Sequence, residues 1–237
     1  MTSLIGPNAP ITIPRCAQPT KEHLPDYEVE LAIVIGKAAK DVKEEEALDY
    51  VLGYTGANDV CYPISRQVSG RTNVPTNGPP CRSRSASISL QSHSGASRKA
   101  LVSILPCSRS FVHSYIPRLL ALHPDNTNPF GPCIVSTSLI PDPQSIPLKS
   151  TVNGTTLQDG NTSDQIFSVR QTVAWLSQGT TLEPGTIILT GTPAGVGFTR
   201  SPPVWLKHGD EVRVTLGNGI GTLVNPVVEE GEQFAKL

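Results

Sequence analysis

One segment, EVELAIVIG at residues 28–36, limits the possible folds of this chain more than any other. In a β-strand, residues two apart point to the same face, so Glu28 and Glu30 share a face with Ala32 and Val34. The opposite face is formed only by apolar residues, namely Val29, Leu31, Ile33 and Ile35. A strand that becomes apolar on both faces is usually buried on both sides. The segment therefore predicts an interior strand that begins with two carboxylates.

These two carboxylates need a neutralising partner if the strand is buried. Two buried carboxylates side by side repel each other and lose solvation unless a cation accompanies them. Oxygen ligands of this kind are what Mg²⁺ or Ca²⁺ prefers. Asp59, in GYTGANDV, is a third carboxylate that could return beside Glu28 and Glu30, although a lone Asp in such a context is typical of a turn or a cap. From the residues alone, a metal site and a solvated strand end both remain open.

Two segments have the residue spacing of amphipathic helices. In EEEALDYVLG, residues 44–53, three acidic residues precede an apolar stripe with i, i+3, i+4 spacing. Ser168 and Gln171 have the spacing of a capping box, and apolar residues then recur up to Gly179. We therefore expect two helices. Their apolar stripes are Leu48, Val51 and Leu52 in the first helix and Val169, Val173 and Leu176 in the second.

The part of the chain after residue 124 is a series of short strand-like runs separated by turn signals. The runs are PCIVSTS, IPLKSTVN, TIILTG, EVRVTL and GTLVN, and turn pairs such as Asn153-Gly154 and Asn218-Gly219 lie between them. Taken alone, QDGNTSD has the composition of a polar turn, and TGTPAGVGF that of a tight Gly-rich turn without the residues of a P-loop. The chain is predicted to form a β-rich α+β domain with little parallel βαβ character.

Residues 61–124 differ from the rest in composition. No Asp or Glu occurs between Asp59 and Asp125, while Ser, Arg and Pro accumulate. Such a composition does not readily offset the entropy of ordering, so we expect a long, irregular and poorly ordered insert. A true insertion and translated non-coding or out-of-frame sequence are both compatible with it. An RNA-binding insert is the sharper alternative, but few aromatics are present to stack bases.

Composition restricts the partners. A formal net charge of −1 over 237 residues provides no global field that would attract nucleic acid or an anionic membrane. No apolar run is long enough to cross a bilayer. The five cysteines contain no C-x-x-C pair, which favours reduced thiols over a disulfide framework. We expect a cytoplasmic protein that binds neither nucleic acid nor membrane.

Several long motifs resemble the fumarylacetoacetate hydrolase family, including its acylpyruvase and oxaloacetate decarboxylase members. They are DYEVELAIVIGKAAKDVKEEEALDYVLGYTGANDV and, in the family's order, NPFGPCIVS, VNGTTLQDGNTSDQIFSV, LSQGTTLEPGTIILTGTPAGVGF and GDEVRVTLGNGIGTLVNPVVEE. The resemblance covers most of the chain outside 61–124. It implies that 1–237 is a single domain, short at its N-terminus, with the mixed β-roll of this family, usually found as a homodimer.

The resemblance also implies site residues. The family's E-x-E metal pair falls on Glu28 and Glu30, and its third carboxylate ligand falls on Asp59. The implied ion is Mg²⁺, with Mn²⁺ or Ca²⁺ as alternatives. In the TGTP segment, Thr192 and the adjacent Gly191 are implied to bind the substrate, with Thr192 holding a substrate carboxylate or keto oxygen. Two further residues lie in the family's QDxNTSD string near the site, Gln158 and Asn161.

The activity implied is that of a metal-dependent enzyme acting on small keto acids. Family substrates carry carbonyls and a carboxylate that can chelate a metal, which then polarises the carbonyl and stabilises an enolate. Hydrolysis of a carbon–carbon bond in acylpyruvates or fumarylacetoacetate-like diketo acids shares that enolate with decarboxylation of oxaloacetate. Isomerisation of unsaturated keto diacids is a further alternative. The motifs do not separate these reactions.

Some of the family's catalytic residues have no counterpart in these motifs. The family has a His and a Glu ahead of the segment that matches this chain's start, and we expect the chain to lack them; His23, in HLPD, does not match that motif. The family's Lys in a GKSFD-like string is also not found, since Lys99 lies in an unrelated context. No catalytic residue is assigned, and a catalytically impaired member that keeps a metal or ligand site is the alternative to an active enzyme.

Overall fold

The computed structural model describes residues 3–17, 25–61, 86–88, 100–105 and 124–232. The strands are β1 (Leu4–Ile5), β2 (Ile11–Ile13), β3 (Val29–Ile35), β4 (Val51–Asn58), β5 (Ala86–Ile88), β6 (Ala100–Leu105), β7 (Asn128–Ser136), β8 (Pro147–Val152), β9 (Thr155–Asn161), β10 (Ile187–Leu189), β11 (Glu211–Leu216) and β12 (Gly221–Glu229). The α-helix is α1 (Val169–Leu176), and short 3₁₀ turns are formed by Arg15–Ala17, Glu44–Tyr50, Pro143–Ser145, Thr162–Asp164 and Gly197–Thr199.

The described strands form two mixed sheets. The first has the order β1-β7-β4-β3-β10-β6-β5, and the second has the order β2-β12-β11-β8-β9. Most neighbouring strands are antiparallel, while β1 pairs with β7 and β2 pairs with β12 in parallel. This arrangement confirms the β-rich α+β class and the small share of parallel pairing.

Strand β3 lies in the interior of the first sheet, as the alternation in EVELAIVIG predicts. All of its residues are buried, and it pairs antiparallel with β4 on one side and β10 on the other. The side chains of Val29, Leu31, Ile33 and Ile35 join the main core between the sheets. Ala32 packs on the opposite face in a smaller cluster with Ala57 and Leu189. Both faces of the strand are therefore covered, which gives the strand end a low-dielectric environment.

Helix α1 covers one end of the main core. Ser168 accepts a hydrogen bond from the backbone N–H of Gln171, and the Gln171 side chain accepts one from the backbone N–H of Ser168. This reciprocal pair is the predicted capping box. The predicted apolar stripe, Val169, Val173 and Leu176, is buried in the main core.

The helix predicted over residues 44–53 is wrong in its type and its end. The segment Glu44–Tyr50 is a 3₁₀ helix, and the chain enters β4 at Val51. Val51 is buried, but Leu52 is 53% exposed and does not extend the apolar stripe. Pairing with β3, in which Val51 lies opposite Ile35, satisfies the backbone of this β-branched residue in a strand and overrides the helical spacing.

A second correction concerns QDGNTSD. Residues Thr155–Asn161 form strand β9 at the edge of the second sheet, paired with β8, rather than a polar turn. The turn lies on either side, at Asn153-Gly154 and in the 3₁₀ turn Thr162–Asp164. A polar sequence is compatible with an edge strand, because one of its faces remains in contact with solvent.

Most of the interval 61–124 lies outside the described residues, so its expected poor order stays a prediction. Two strands of the interval are described, β5 and β6, and β6 pairs antiparallel with β10. Within the described ranges, no helix combines the length and apolar character that crossing a bilayer requires.

We predict that Ser168→Ala lowers the free energy of unfolding by about 1 kcal/mol, because it removes the oxygen that caps the first turn of α1. Ser168→Asp keeps a capping acceptor and should remain within about 0.5 kcal/mol of the wild type. Urea unfolding followed by circular dichroism measures both variants. Equal stability of the two variants would contradict the role of the cap.

Candidate metal centre

Three carboxylates meet at the end of β3. The ligand oxygens of Glu28, Glu30 and Asp59 all lie within 4.8 Å of one another. The strand register explains this proximity: Glu30 lies opposite Ala57, and Asp59 follows Ala57 by two residues on the same face. The backbone N–H of Asp59 donates to the carbonyl of Glu28 at 2.9 Å, which continues the ladder past the end of β4.

The burial of these groups argues against a solvated strand end. Glu30 is 2% exposed and Asp59 is 3% exposed, while Glu28 is half-buried. Burial raises the pKa of Glu30 well above its ordinary value, and the neighbouring carboxylates of Asp59 and Glu28 raise it further. A set of three oxygen donors with this concentration of negative charge fits a hard divalent cation.

The first residues after β10 also contact the carboxylate cluster. Strand β10 pairs with β3 so that Leu189 lies opposite Ala32, and continuing this register brings Gly191 opposite Glu30. The backbone N–H of Gly191 donates to Glu30 Oε2 at 2.8 Å. Gly191 has a φ of +96°, a conformation that glycine adopts without strain. The Gly191 N–H therefore holds a carboxylate of the cluster, a role that the substrate-binding prediction for this residue did not include.

Thr192 lies next to Gly191, where the sequence predicts a substrate contact. Its hydroxyl oxygen accepts a hydrogen bond of 2.7 Å from Gln158 Nε2, and the residue is half-buried. The structure therefore places Thr192 one residue from the backbone amide that contacts Glu30. Its contact with a substrate remains a prediction.

The two polar residues of β9 have different roles. Gln158 is 1% exposed, and its amide reaches both β3 and the TGTP segment. Asn161 accepts a hydrogen bond from the backbone N–H of Ser163 and caps the 3₁₀ turn Thr162–Asp164. The family resemblance indicates that both residues lie near the site, but it assigns neither of them a role. Only the sheet pairing distinguishes the buried position of Gln158 from the half-buried one of Asn161.

Cys61 is a neighbour of the cluster that the sequence did not indicate. Its thiol donates to Glu28 Oε1 at 2.9 Å. Burial raises the pKa of the Cys61 thiol well above its ordinary value, and the nearby carboxylates add to the effect. The sulfur is therefore held as a neutral S–H donor in the metal-free protein. The sequence signal that could have indicated this contact is the position of Cys61, two residues after Asp59.

The segment Thr190–Arg200, which we call the 190–200 loop, is fixed beside the cluster by several buried groups. The carboxylate of Asp26 accepts from the backbone N–H groups of Gly197 and Phe198, at 2.7 and 2.8 Å. The hydroxyl of Tyr27 donates to the carbonyl of Gly195 at 3.0 Å, and Arg200 Nε donates to the Tyr27 hydroxyl oxygen at 3.0 Å. Since Asp26 and Tyr27 immediately precede Glu28, one stretch of chain supports both the carboxylate cluster and the loop.

His23 and Lys99, neither of which matches a catalytic motif of the family, lie outside the described residues. Among the described cysteines with side chains, Cys61 and Cys133 are free thiols.

The sequence of the chain is similar to one known domain over nearly its whole length. The family model for the C-terminal domain of fumarylacetoacetate (FAA) hydrolase matches residues 1–92 and 107–228. A caffeoylpyruvate hydrolase of Neonothopanus nambi is 43% identical over 235 residues, which are 99% of this chain and 60% of the relative. A mitochondrial oxaloacetate tautomerase of Xenopus laevis is 36% identical over 228 residues, which are 96% of this chain and 56% of the relative. The chain thus spans between half and two thirds of the length of these curated relatives.

Solved structures show the same fold. The crystal structure of a 2-hydroxyhepta-2,4-diene-1,7-dioate isomerase from Mycobacterium marinum matches with a TM-score of 0.66 and 35% identity. The match covers 98% of this chain and 67% of that structure.

A prediction about stability follows from the buried Glu30. In metal-free protein the pKa of Glu30 is raised. The protonated Glu30 side chain therefore stabilises the folded state fully at pH values below the unfolded pKa of about 4.3, and this stabilisation is lost as the pH rises through the folded pKa. Glu30→Gln removes this loss and keeps an oxygen that can accept from Gly191. In the presence of a chelator, the melting temperature of Glu30→Gln relative to wild type should therefore increase between pH 5 and pH 8.

The control for this experiment is Glu46→Gln, which changes an exposed carboxylate. Its melting temperature relative to wild type should not vary with pH in the same way. A Glu30→Gln variant that loses stability relative to wild type as the pH rises would show that the Glu30 charge is not a liability in the metal-free protein.

Proposed function

The chain belongs to the fumarylacetoacetate hydrolase family, and we propose that it is a metal-dependent enzyme that cleaves a carbon–carbon bond in acylpyruvate-like diketo acids. The observation that carries the proposal is the cluster of Glu28, Glu30 and Asp59 joined directly to the TGTP segment through Gly191. The similarity to a caffeoylpyruvate hydrolase supports this substrate class. In such a reaction the bond between the acyl carbon and the adjacent CH₂ carbon breaks. The hydroxyl of water joins the acyl carbon, and its hydrogen ends on the CH₂ carbon of the fragment that leaves as pyruvate.

The three carboxylates would hold the metal, for which we propose Mg²⁺, with Mn²⁺ or Ca²⁺ as alternatives. The all-oxygen donor set supports a hard ion. When bound, the ion supplies a Lewis acid that polarises a substrate carbonyl. The donor atoms belong to the end of one interior strand and to the residue following its neighbour, so the backbone ladder holds them in place before any ion arrives.

The chain's other residues act on the geometry of this site. The Gly191 N–H orients the Glu30 carboxylate, and the Cys61 thiol holds one oxygen of Glu28. Thr192, adjacent to Gly191, would hold a carboxylate or keto oxygen of the substrate. The hydrogen bond between Gly191 and Glu30 therefore connects the carboxylates to the residue that directly precedes Thr192.

A second candidate is tautomerisation or isomerisation of a keto acid. It is supported by the similarity to an oxaloacetate tautomerase and to a structure described as a diene-dioate isomerase. Moving a proton next to a polarised keto group requires the same electrophile as carbon–carbon cleavage does. Decarboxylation of oxaloacetate also passes through an enolate, so the same site would serve it.

We also propose that the protein acts in the cytoplasm as a homodimer. Free thiols at Cys61 and Cys133 support a reducing compartment. Exposed apolar side chains in the first sheet, Leu52 of β4 and Ile134 of β7, support a protein–protein contact.

The test combines metal binding with turnover. We expect calorimetric titration of the chelator-treated protein to detect Mg²⁺ or Mn²⁺ binding, and Glu30→Gln or Asp59→Asn to weaken it at least about tenfold, because each variant removes a charged ligand from a buried site. Pyruvate release from acylpyruvates, and enol–keto conversion and CO₂ release from oxaloacetate, distinguish the reactions. Glu46→Gln is the matched control. Metal binding unaffected by both site variants, or wild-type protein without metal-dependent turnover of any of these acids, would refute the proposal.

A further inference from the structure

We propose that Gln158 is a positioning residue that fixes the Thr192 hydroxyl as a hydrogen-bond donor toward the substrate. The inference deepens the proposed function and rests on it in one respect, namely that Thr192 faces a substrate oxygen. Gln158 lies in β9, in the other sheet from the three carboxylates. Its side chain crosses between the sheets, and its exposed fraction is 1%.

The side-chain amide of Gln158 makes four hydrogen bonds. Its oxygen accepts from the backbone N–H of Val29 at 3.1 Å and from the hydroxyl of Ser150 at 2.9 Å. Its nitrogen donates to Thr192 Oγ1 at 2.7 Å and to the carbonyl of Pro193 at 3.1 Å. Both lone pairs of the oxygen and both hydrogens of the nitrogen are therefore used.

Two partners of this amide determine its orientation, because one can only donate a hydrogen bond and the other can only accept one. The N–H of Val29 can only donate, so the amide oxygen must face β3. The carbonyl of Pro193 can only accept, so the amide nitrogen must face the 190–200 loop. A flipped amide would place two donors together at Val29 and two acceptors together at Pro193. The ambiguity that often affects Gln side chains is thus absent here.

The fixed amide determines the role of the Thr192 hydroxyl. Since Gln158 Nε2 donates to Thr192 Oγ1, the hydroxyl hydrogen must point away from Gln158. Within the described ranges no group accepts this hydrogen. The Thr192 hydroxyl is therefore prepared to donate, and the complementary ligand chemistry is an anionic or carbonyl oxygen. A substrate carboxylate or keto oxygen has this chemistry.

The same amide sets the distance between this donor and the carboxylate cluster. Val29 lies between Glu28 and Glu30, so Gln158 holds the ligand strand and the TGTP segment through one rigid group. The fit on β9 is tight, because a Cβ at Gly160 would lie 2.9 Å from Pro193 Cβ. A small shift of β9 relative to β3 would therefore move the donor relative to the cluster.

The experiment replaces Gln158 by Glu, which has the same shape and keeps the acceptor for Val29 and Ser150. An ionised carboxylate cannot donate, so it attracts the Thr192 hydrogen and removes the donor from the substrate. A buried carboxyl group is ionised only at higher pH, and its protonated form can still donate, so the loss should grow as the pH rises. We expect kcat/KM to fall about ten- to hundredfold at pH 8, the scale of one hydrogen bond to a charged group. Oxalate, a small keto-acid analogue, should lose affinity by a similar factor when titrated calorimetrically into Mg²⁺-loaded protein, while Mg²⁺ affinity should not fall, because the added negative charge lies near the carboxylate cluster.

A double-mutant cycle with Thr192→Val separates positioning from a general structural effect. Thr192→Val should reproduce the loss, and adding Gln158→Glu to it should cost little more, because both changes remove the same donor. Thr192→Ser keeps the hydroxyl and should retain the wild-type oxalate affinity and the sensitivity to Gln158→Glu. The control is Gln171→Glu, an exposed substitution that preserves the capping box of α1.

The outcomes distinguish this inference from the proposed function. Oxalate affinity that falls non-additively supports the inference even if the wild type turns over none of the keto acids, a result that would refute only the proposed activity. Equal and additive losses in both Thr192 backgrounds, or oxalate that does not bind the metal-loaded wild type, would overturn the inference. If Gln158→Glu does not fold, the comparison of Thr192→Val with Thr192→Ser decides, and equal oxalate affinity of these two variants would overturn it.

Discussion

The structure depends on how three like charges are kept together in a low-dielectric environment. Burial and the neighbouring carboxylates raise the pKa of Glu30, which means that ionising all three groups without a cation is unfavourable. The Gly191 N–H offsets part of this cost by donating to the Glu30 carboxylate, while the main-chain bond between Asp59 and Glu28 fixes the positions of these two residues. Such a buried arrangement concentrates negative charge at one point, which is the property that the proposed cation site requires.

The strand that carries the cluster could be predicted from the sequence, because its signal is local. Alternation in EVELAIVIG gave both the interior position of β3 and the shared face of Glu28 and Glu30. The capping box of α1 is equally local. The helix expected over residues 44–53 ends early because its helical spacing competes with a tertiary effect, the pairing of Val51 with Ile35 in the sheet. Spacing within one segment carries no information about that pairing.

The roles of the supporting residues of the site could not be predicted, because each acts across sheets or loops. Gln158 is 129 residues from Val29 in sequence, and Asp26 is 171 residues from Gly197. A polar residue in an edge strand is normally solvated, so the sequence gives no sign that Gln158 is buried. The family resemblance indicated Thr192 and the three carboxylates, whereas the hydrogen bonds that orient them follow only from the register of two separate sheets.

In the proposed metal site, the contact between Gly191 and Glu30 would link the 190–200 loop thermodynamically to the three carboxylates. A movement of the loop that breaks this bond changes the affinity of the carboxylates for a cation. By reciprocity, occupation of the carboxylates changes the conformational preference of the loop by the same free energy. In the proposed site, the metal and the substrate would therefore not bind as independent ligands, and the first to arrive would alter the conformational ensemble that the second encounters.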